Sequence, residues 1–151
     1  MRKRNKKAII FLTLAICVLL IFTLWISLRK VEVVAVYKEG DFISVLVNNF
    51  PLTDSGKISW WLKNRKTFQE KYNLPKPYQK TFSSIVFWDF AEGYKEKGKY
   101  DRRCFDGREP PLNCIEKNII LTIWNSPKGI QIISVDNGQY TLNESEIITR
   151  Y

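Results

Sequence analysis

Histidine does not occur in this chain of 151 residues. Its absence removes the commonest general base, the serine triads built on it, and the zinc, copper and iron sites that need imidazole. Phosphate-cradling motifs of the GxxxxGK(S/T) and GxGxxG types are missing, as is the GxSxG nucleophile turn, so no cofactor is expected. No internal repeat and no long low-complexity linker is found, and no βαβ alternation is evident, which argues against a doubly wound nucleotide-binding fold. Acidic residues are absent from the first 30 positions. Charge of either sign is absent from Ala8 to Leu28, a run of 21 residues.

That run is the strongest signal in the chain. At about 1.5 Å per residue it makes a helix of about 31 Å, matching a hydrocarbon core of about 30 Å. Fourteen of its residues are Leu, Ile, Phe or Val, which outweighs the small penalties of Thr13, Thr23 and Ser27. Trp25 falls in its last turn, where an indole favours the headgroup region. Arg2, Lys3, Arg4, Lys6 and Lys7 precede the run, against only Arg29 and Lys30 after it, so the positive-inside rule keeps the amino terminus cytoplasmic. The expected organisation is a cytoplasmic basic tail (1–7), a transmembrane helix (8–28) and a periplasmic domain (31–151), anchored to lipid through 8–28. A cleaved signal would need a shorter apolar core and a small-x-small site, which Trp25-Ile26-Ser27-Leu28-Arg29 does not offer. Leu14-Ala15-Ile16-Cys17 resembles a lipobox, but Ile16 stands where Gly, Ala or Ser is required. Cys17 is read as a small apolar residue of the span.

The formal charge of +9 belongs mostly to this topology signal. Of the 24 Lys and Arg, seven lie in the first 30 residues, leaving 17 against all 15 Asp and Glu. The basic tail suits anionic lipid, at about 1 kcal/mol per basic residue, and no nucleic-acid partner is expected.

Residues 31–151 suffice for one domain with a modest core. Cys104 and Cys114 form an even pair, which in an oxidising compartment reads as a disulfide pinning a loop that holds Gly107 and Pro110-Pro111. Val31 to Tyr37 and Ile43 to Asn48 read as a hairpin turning at Glu39-Gly40-Asp41. Thr53 or Asp54 caps a helix whose face repeats as Ile58, Trp61, Leu62, Arg65, Phe68 and Tyr72, stopped by Leu74-Pro75-Lys76-Pro77. Ser83 to Phe90 is a strand apolar on both faces. Ala91 to Tyr100 is a charged loop or hairpin tip. Ile119 to Asn125 and Ile130 to Asp136 are strands joined by Ser126-Pro127-Lys128-Gly129, and Asn137-Gly138 turns a closing meander. The expected fold class is α+β: a single transmembrane helix, then a small antiparallel sheet of five to seven strands with one main amphipathic helix.

Three groups of residues are candidates for chemistry. Asp89, Glu92, Glu96, Asp101 and Asp106 gather within 18 residues, as a glycosidase-like acid and base or a calcium site would require. Lys95, Lys97, Lys99, Arg102 and Arg103 interleave with them, which equally describes a solvated, self-neutralised loop. Asp89, between Trp88 and Phe90, is a candidate buried functional carboxylate with Arg102 or Arg103 as its expected partner. Cys104, flanked by those arginines, is an alternative reactive thiol. Trp61 lies on the apolar helical face and reads as core; Trp60 lies off it and is a candidate partner-binding residue.

VVAVY, NNFPLTDSGKISWWLKNRKTFQEKYNLPKP and FWDFAEGYKEKGKYDRRCF continuing to PPLNCIEKN together resemble the enterobacterial putative membrane proteins classed as a domain of unknown function. The resemblance covers nearly the whole chain, and it implies an envelope protein of a Gram-negative bacterium with no assigned catalytic, metal or cofactor residues. Two functions are weighed: a non-enzymatic periplasmic binding domain for an envelope protein, including a toxin that an immunity-type protein would neutralise, and an envelope hydrolase using Asp89 with Glu92 or Asp101.

Overall fold

The computed structural model describes residues 2–73, 84–126, 130–142 and 148–150. The chain divides into two compact units, Met1–Lys30 and Val31–Tyr151.

The first unit is helix α1, Arg2–Ser27, and its stretch Lys6–Ile26 is long and apolar enough to cross a membrane. The helix ends one residue earlier than the uncharged run, although the Leu28 amide still reaches the Leu24 carbonyl at 3.0 Å. Thr13 and Thr23 return their hydroxyls to carbonyls one turn back, at 2.9 Å from Ile10 and Leu20, which removes the cost of carrying them into an apolar solvent. Apolar side chains are exposed all around α1, unlike a helix that keeps one face for a protein core. At its carboxyl end the Arg29 guanidinium lies 4.0 Å from the Trp25 ring centroid, a cation over an aromatic face.

In the second unit, β1 (Glu32–Glu39) and β2 (Phe42–Asn48) form the expected hairpin, turned at Gly40, whose φ of +60° favours glycine. Val34 is the extra residue of a bulge in β1. Helix α2 (Asp54–Lys71) begins at Thr53, whose hydroxyl accepts from the Gly56 amide at 3.2 Å. A Cβ on Gly56 would stand 2.9 Å from both Pro51 Cβ and Thr53 Oγ1, so glycine is what lets the capping loop fold back on the first turn. The helix ends at Lys71, with Asn73 at φ +48°, so it stops before Leu74-Pro75-Lys76-Pro77, a segment outside the described residues. Ser83 and Pro127-Lys128-Gly129 also lie outside them.

The strands β3 (Ser84–Asp89), β6 (Ile119–Asn125), β7 (Gln131–Val135), β8 (Gly138–Leu142) and β9 (Ile148–Arg150) complete a seven-stranded sheet ordered β1-β2-β3-β6-β7-β8-β9. Between β3 and β6 the chain leaves the sheet to make a separate two-stranded ribbon, β4 (Arg102–Cys104) and β5 (Cys114–Glu116). The α+β class stands, but the sheet is mixed: β2 and β3 run parallel, because α2 carries the chain back to the starting end before β3 begins. The expectations of a wholly antiparallel sheet and of no βαβ unit are corrected at this seam.

The two faces of the sheet hold different cores. On one, Val45, Val47, Ile85, Phe87, Leu121, Ile123 and Ile133 pack under Ile58, Trp61 and Phe68 of α2. On the other, Leu46 and Trp88 pack under Phe105 and Ile115, carried by the ribbon and the loop beside it. Both inner strands are therefore buried on both sides, matching the apolar run at 85–88 and the run at 43–47 that only Ser44 interrupts.

Candidate functional site

Four strand ends meet at one end of the sheet. After β2, Asn49 takes a φ of +56° and turns the chain into Phe50-Pro51-Leu52. β3 ends at Asp89, Asn118 precedes β6, and Asp136 follows β7. The first turn of α2 comes down on the same place through Lys57. Together they line a cleft of about 320 Å³, outside the carboxyl ends of the parallel strands, where open α/β sheets place ligand sites.

Its polar groups are held firmly. Lys57, only 5% exposed, donates from Nζ to Asp136 Oδ2 at 2.6 Å. Asp89 is half-buried; the Ala91 amide donates to its Oδ1 at 3.2 Å and the Asn118 side-chain amide to its Oδ2 at 3.2 Å. The Asp89 amide in turn donates to the Asn118 carbonyl at 2.9 Å. Asp54 Oδ2 accepts from the Asn137 backbone and side-chain nitrogens at 3.1 and 2.9 Å, tying the start of α2 to the turn after β7. Leu52 and Ile119 stand exposed at the cleft, with Phe50 and Ile120 as its apolar wall.

Neither expected arginine reaches Asp89. Arg102 donates to Glu116 at 2.9 Å and to the Glu96 carbonyl at 2.6 Å, while Arg103 pairs with Glu39. The carboxylates expected to work with Asp89 are committed elsewhere, Glu92 to Lys95 and Asp101 to Lys117, and neither lines the cleft. Among the described residues, no three His, Cys, Asp or Glu side chains are grouped to hold a metal ion.

The acidic segment instead braces the ribbon. Cys104 faces Cys114 across β4 and β5 with their sulfurs at bonding distance, 2.07 Å. Lys95 exchanges both backbone hydrogen bonds with Cys114 and donates from Nζ to Glu92 and Glu116. Phe105 stacks on Tyr37 with ring centroids 4.2 Å apart, and the Tyr37 and Tyr94 hydroxyls meet at 2.6 Å. Burial, followed by that hydrogen bond, pushes the Tyr94 phenol up to about 12.

Hydrogen bonds from Lys95 and then Arg102 hold the Glu116 carboxyl below its ordinary value, and those that Lys95 donates to Glu92 and then Glu116 raise its ammonium above its own. A depressed carboxyl stabilises the fold above its unfolded pKa and loses that contribution as pH falls through the folded value; a raised ammonium loses its contribution only as pH climbs through its folded value. The ribbon is therefore expected to loosen below the ordinary glutamate range and, separately, above the ordinary lysine range. Amide exchange at β4 and β5, followed against pH in wild type and Glu116→Gln, checks this: the variant should lose much of the acid step, and an unchanged acid step would remove Glu116 as its cause.

Trp61 is fully buried, as its place on the helical face requires, and donates from Nε1 to Gln131 Oε1 at 3.2 Å. Trp60 is half-buried rather than exposed: Phe50 lies 4.8 Å and Phe87 5.8 Å from its ring, so most of the indole is spent on the core. Asn49, Lys57, Asn118 and Asp136 were not anticipated. Lys57 had a signal, since it stands four residues before Trp61 and eight before Arg65, on the buried face.

A family model described as enterobacterial putative membrane protein matches residues 2–151. The chain belongs to that family of membrane proteins, and among the described residues α1 is its one helix long and apolar enough to cross a membrane. Comparison with curated proteins gives no match, and neither does comparison with solved structures.

Proposed function

We propose that this member of the enterobacterial membrane protein family lies in the inner membrane with residues 1–7 in the cytoplasm and residues 31–151 in the periplasm, where its domain is a non-enzymatic binding module for another envelope protein. The cleft beside α2 is the docking site. The observation that carries this reading is the pairing of exposed apolar side chains, Leu52 at 78% and Ile119 at 50%, with an immobilised set of polar groups between them. Orientation rests on the basic flank ahead of α1 and on the cysteine pair at bonding distance, which suits an oxidising compartment. A hydrolase is less well supported, because among the described residues the other carboxylate lining the cleft, Asp136, is paired with Lys57.

Photo-crosslinking residues placed at Leu52 and Ile119 in intact cells should capture one and the same envelope protein, and a crosslinker at the exposed Thr149 should not. Capture of nothing from both cleft positions, or of the same species from Thr149, would overturn the docking site.

A further inference from the structure

We propose that the cleft receives a basic side chain of the partner, a cation on an apolar stem, with Asp89 as its counter-charge; this rests on the docking reading above. Three formal charges line the cleft, those of Lys57, Asp89 and Asp136. Lys57 and Asp136 neutralise each other at 2.6 Å. Asp89 is different: both donors to it, the Ala91 amide and the Asn118 side-chain amide, are uncharged, and among the described residues it has no cationic partner. Those two hydrogen bonds fix the carboxylate without cancelling it, and each oxygen keeps a second acceptor position. The cleft thus holds one unbalanced negative charge beside the apolar surfaces of Phe50, Leu52 and Ile120.

Each other class of occupant meets a penalty there. An anion would face Asp89 and Asp136 together, and Lys57 has already spent its charge. An uncharged apolar group would strip water from Asp89 and return nothing to it. A lysine or arginine side chain satisfies both features at once, laying its methylene stem along the apolar wall and placing its cation at the carboxylate. The volume of about 320 Å³ suits one such side chain rather than a folded element.

The test uses the full chain in detergent micelles and two probes that share a stem, Nα-acetyl-lysine N-methylamide and the norleucine analogue, which lacks only the ammonium. Titration is followed by the side-chain amide signals of Asn49 and Asn118. The lysine probe should saturate and bind at least about tenfold more tightly than norleucine, a difference of about 1.4 kcal/mol, and Asp89→Asn should bring the two probes level. Equal binding of both probes to wild type, an undiminished lysine preference in Asp89→Asn, or no shift with either probe would each overturn the cation assignment. The crosslinks from Leu52 and Ile119 separate the levels: their persistence alongside any of these results leaves the docking site standing and removes only the basic occupant, whereas their loss removes both.

Discussion

Replacing Phe87 with alanine is expected to cost about 4 kcal/mol, within the range of about 3–5 for emptying a buried aromatic site. Phe87 is fully buried in β3, the strand between the parallel and antiparallel parts of the sheet. Its ring lies 5.6 to 5.9 Å from those of Phe50, Trp60, Trp61 and Phe68, which come from the loop after β2 and from two turns of α2. Groups fixed by separate elements cannot close together over a void, which places this site toward the costly end. For a unit of 121 residues, a total stability of about 6–18 kcal/mol is expected at about 0.05–0.15 per residue, so the variant forfeits a large share of it. Phe87→Leu keeps most of the volume and should lose less than about 1.5 kcal/mol. Urea unfolding of the full chain in detergent, read by tryptophan fluorescence, gives both numbers. A loss under about 1 kcal/mol for Phe87→Ala would mean that the four rings do not depend on it. Phe50 also walls the cleft, so the same variant should weaken partner capture from Leu52.

Where pattern and packing coincide, the sequence was legible. The hairpin at Gly40, the cap at Thr53 and the meander after Ile119 are local structures, written in turn residues and alternation that need no distant partner. The parallel pairing of β2 with β3 is not local. Its two strands are apolar on both faces, which fits a central strand in either direction, and only the length and placement of α2 decide how the chain returns. The ribbon of β4 and β5 is likewise hidden, because three-residue strands carry almost no periodic signal; the cysteine pair was its only mark.

The cleft was read less well for a related reason. The helical spacing picks out Ile58, Trp61, Arg65 and Phe68 but passes over Lys57 and Gln69, although all six are buried on one face. Polar groups can occupy such positions when partners wait across the gap, as Asp136 does for Lys57. The apolar neighbours of Asp89 mark it in the sequence, and Arg102 and Arg103 follow it within 14 residues. The sheet instead brings up Asn118, 29 residues away, through the register of β3 against β6. That uncharged partner leaves the Asp89 carboxylate without a counter-charge, which is the basis of the proposed cation site.

Changing both Cys104 and Cys114 to serine should cost about 2.5–3 kcal/mol on the chain-entropy account of a cross-link spanning a sequence separation of 10. The loss should fall unevenly. Two strands of three residues do not hold together unaided, and this ribbon relies on the cysteine pair, the Lys95 bridge and Arg102–Glu116. Phe105 and Ile115 ride on it and cover Leu46 and Trp88, so freeing the ribbon uncovers the second core and leaves the first, beneath α2, in place. Hydrogen exchange should therefore rise in β4, β5 and the segment around Tyr94, with α2 and β6 still protected; an equal rise in α2 would show that the two faces unfold as one. In intact cells the wild-type pair should resist thiol alkylation until a reductant is added. Two free thiols at Cys104 and Cys114 without reductant would remove the disulfide, and with it one of the two supports for a periplasmic domain. The cleft lies on neither cysteine strand, so the double serine variant should keep the lysine preference of Asp89 even as its second core opens, and loss of that preference would tie the site to the ribbon.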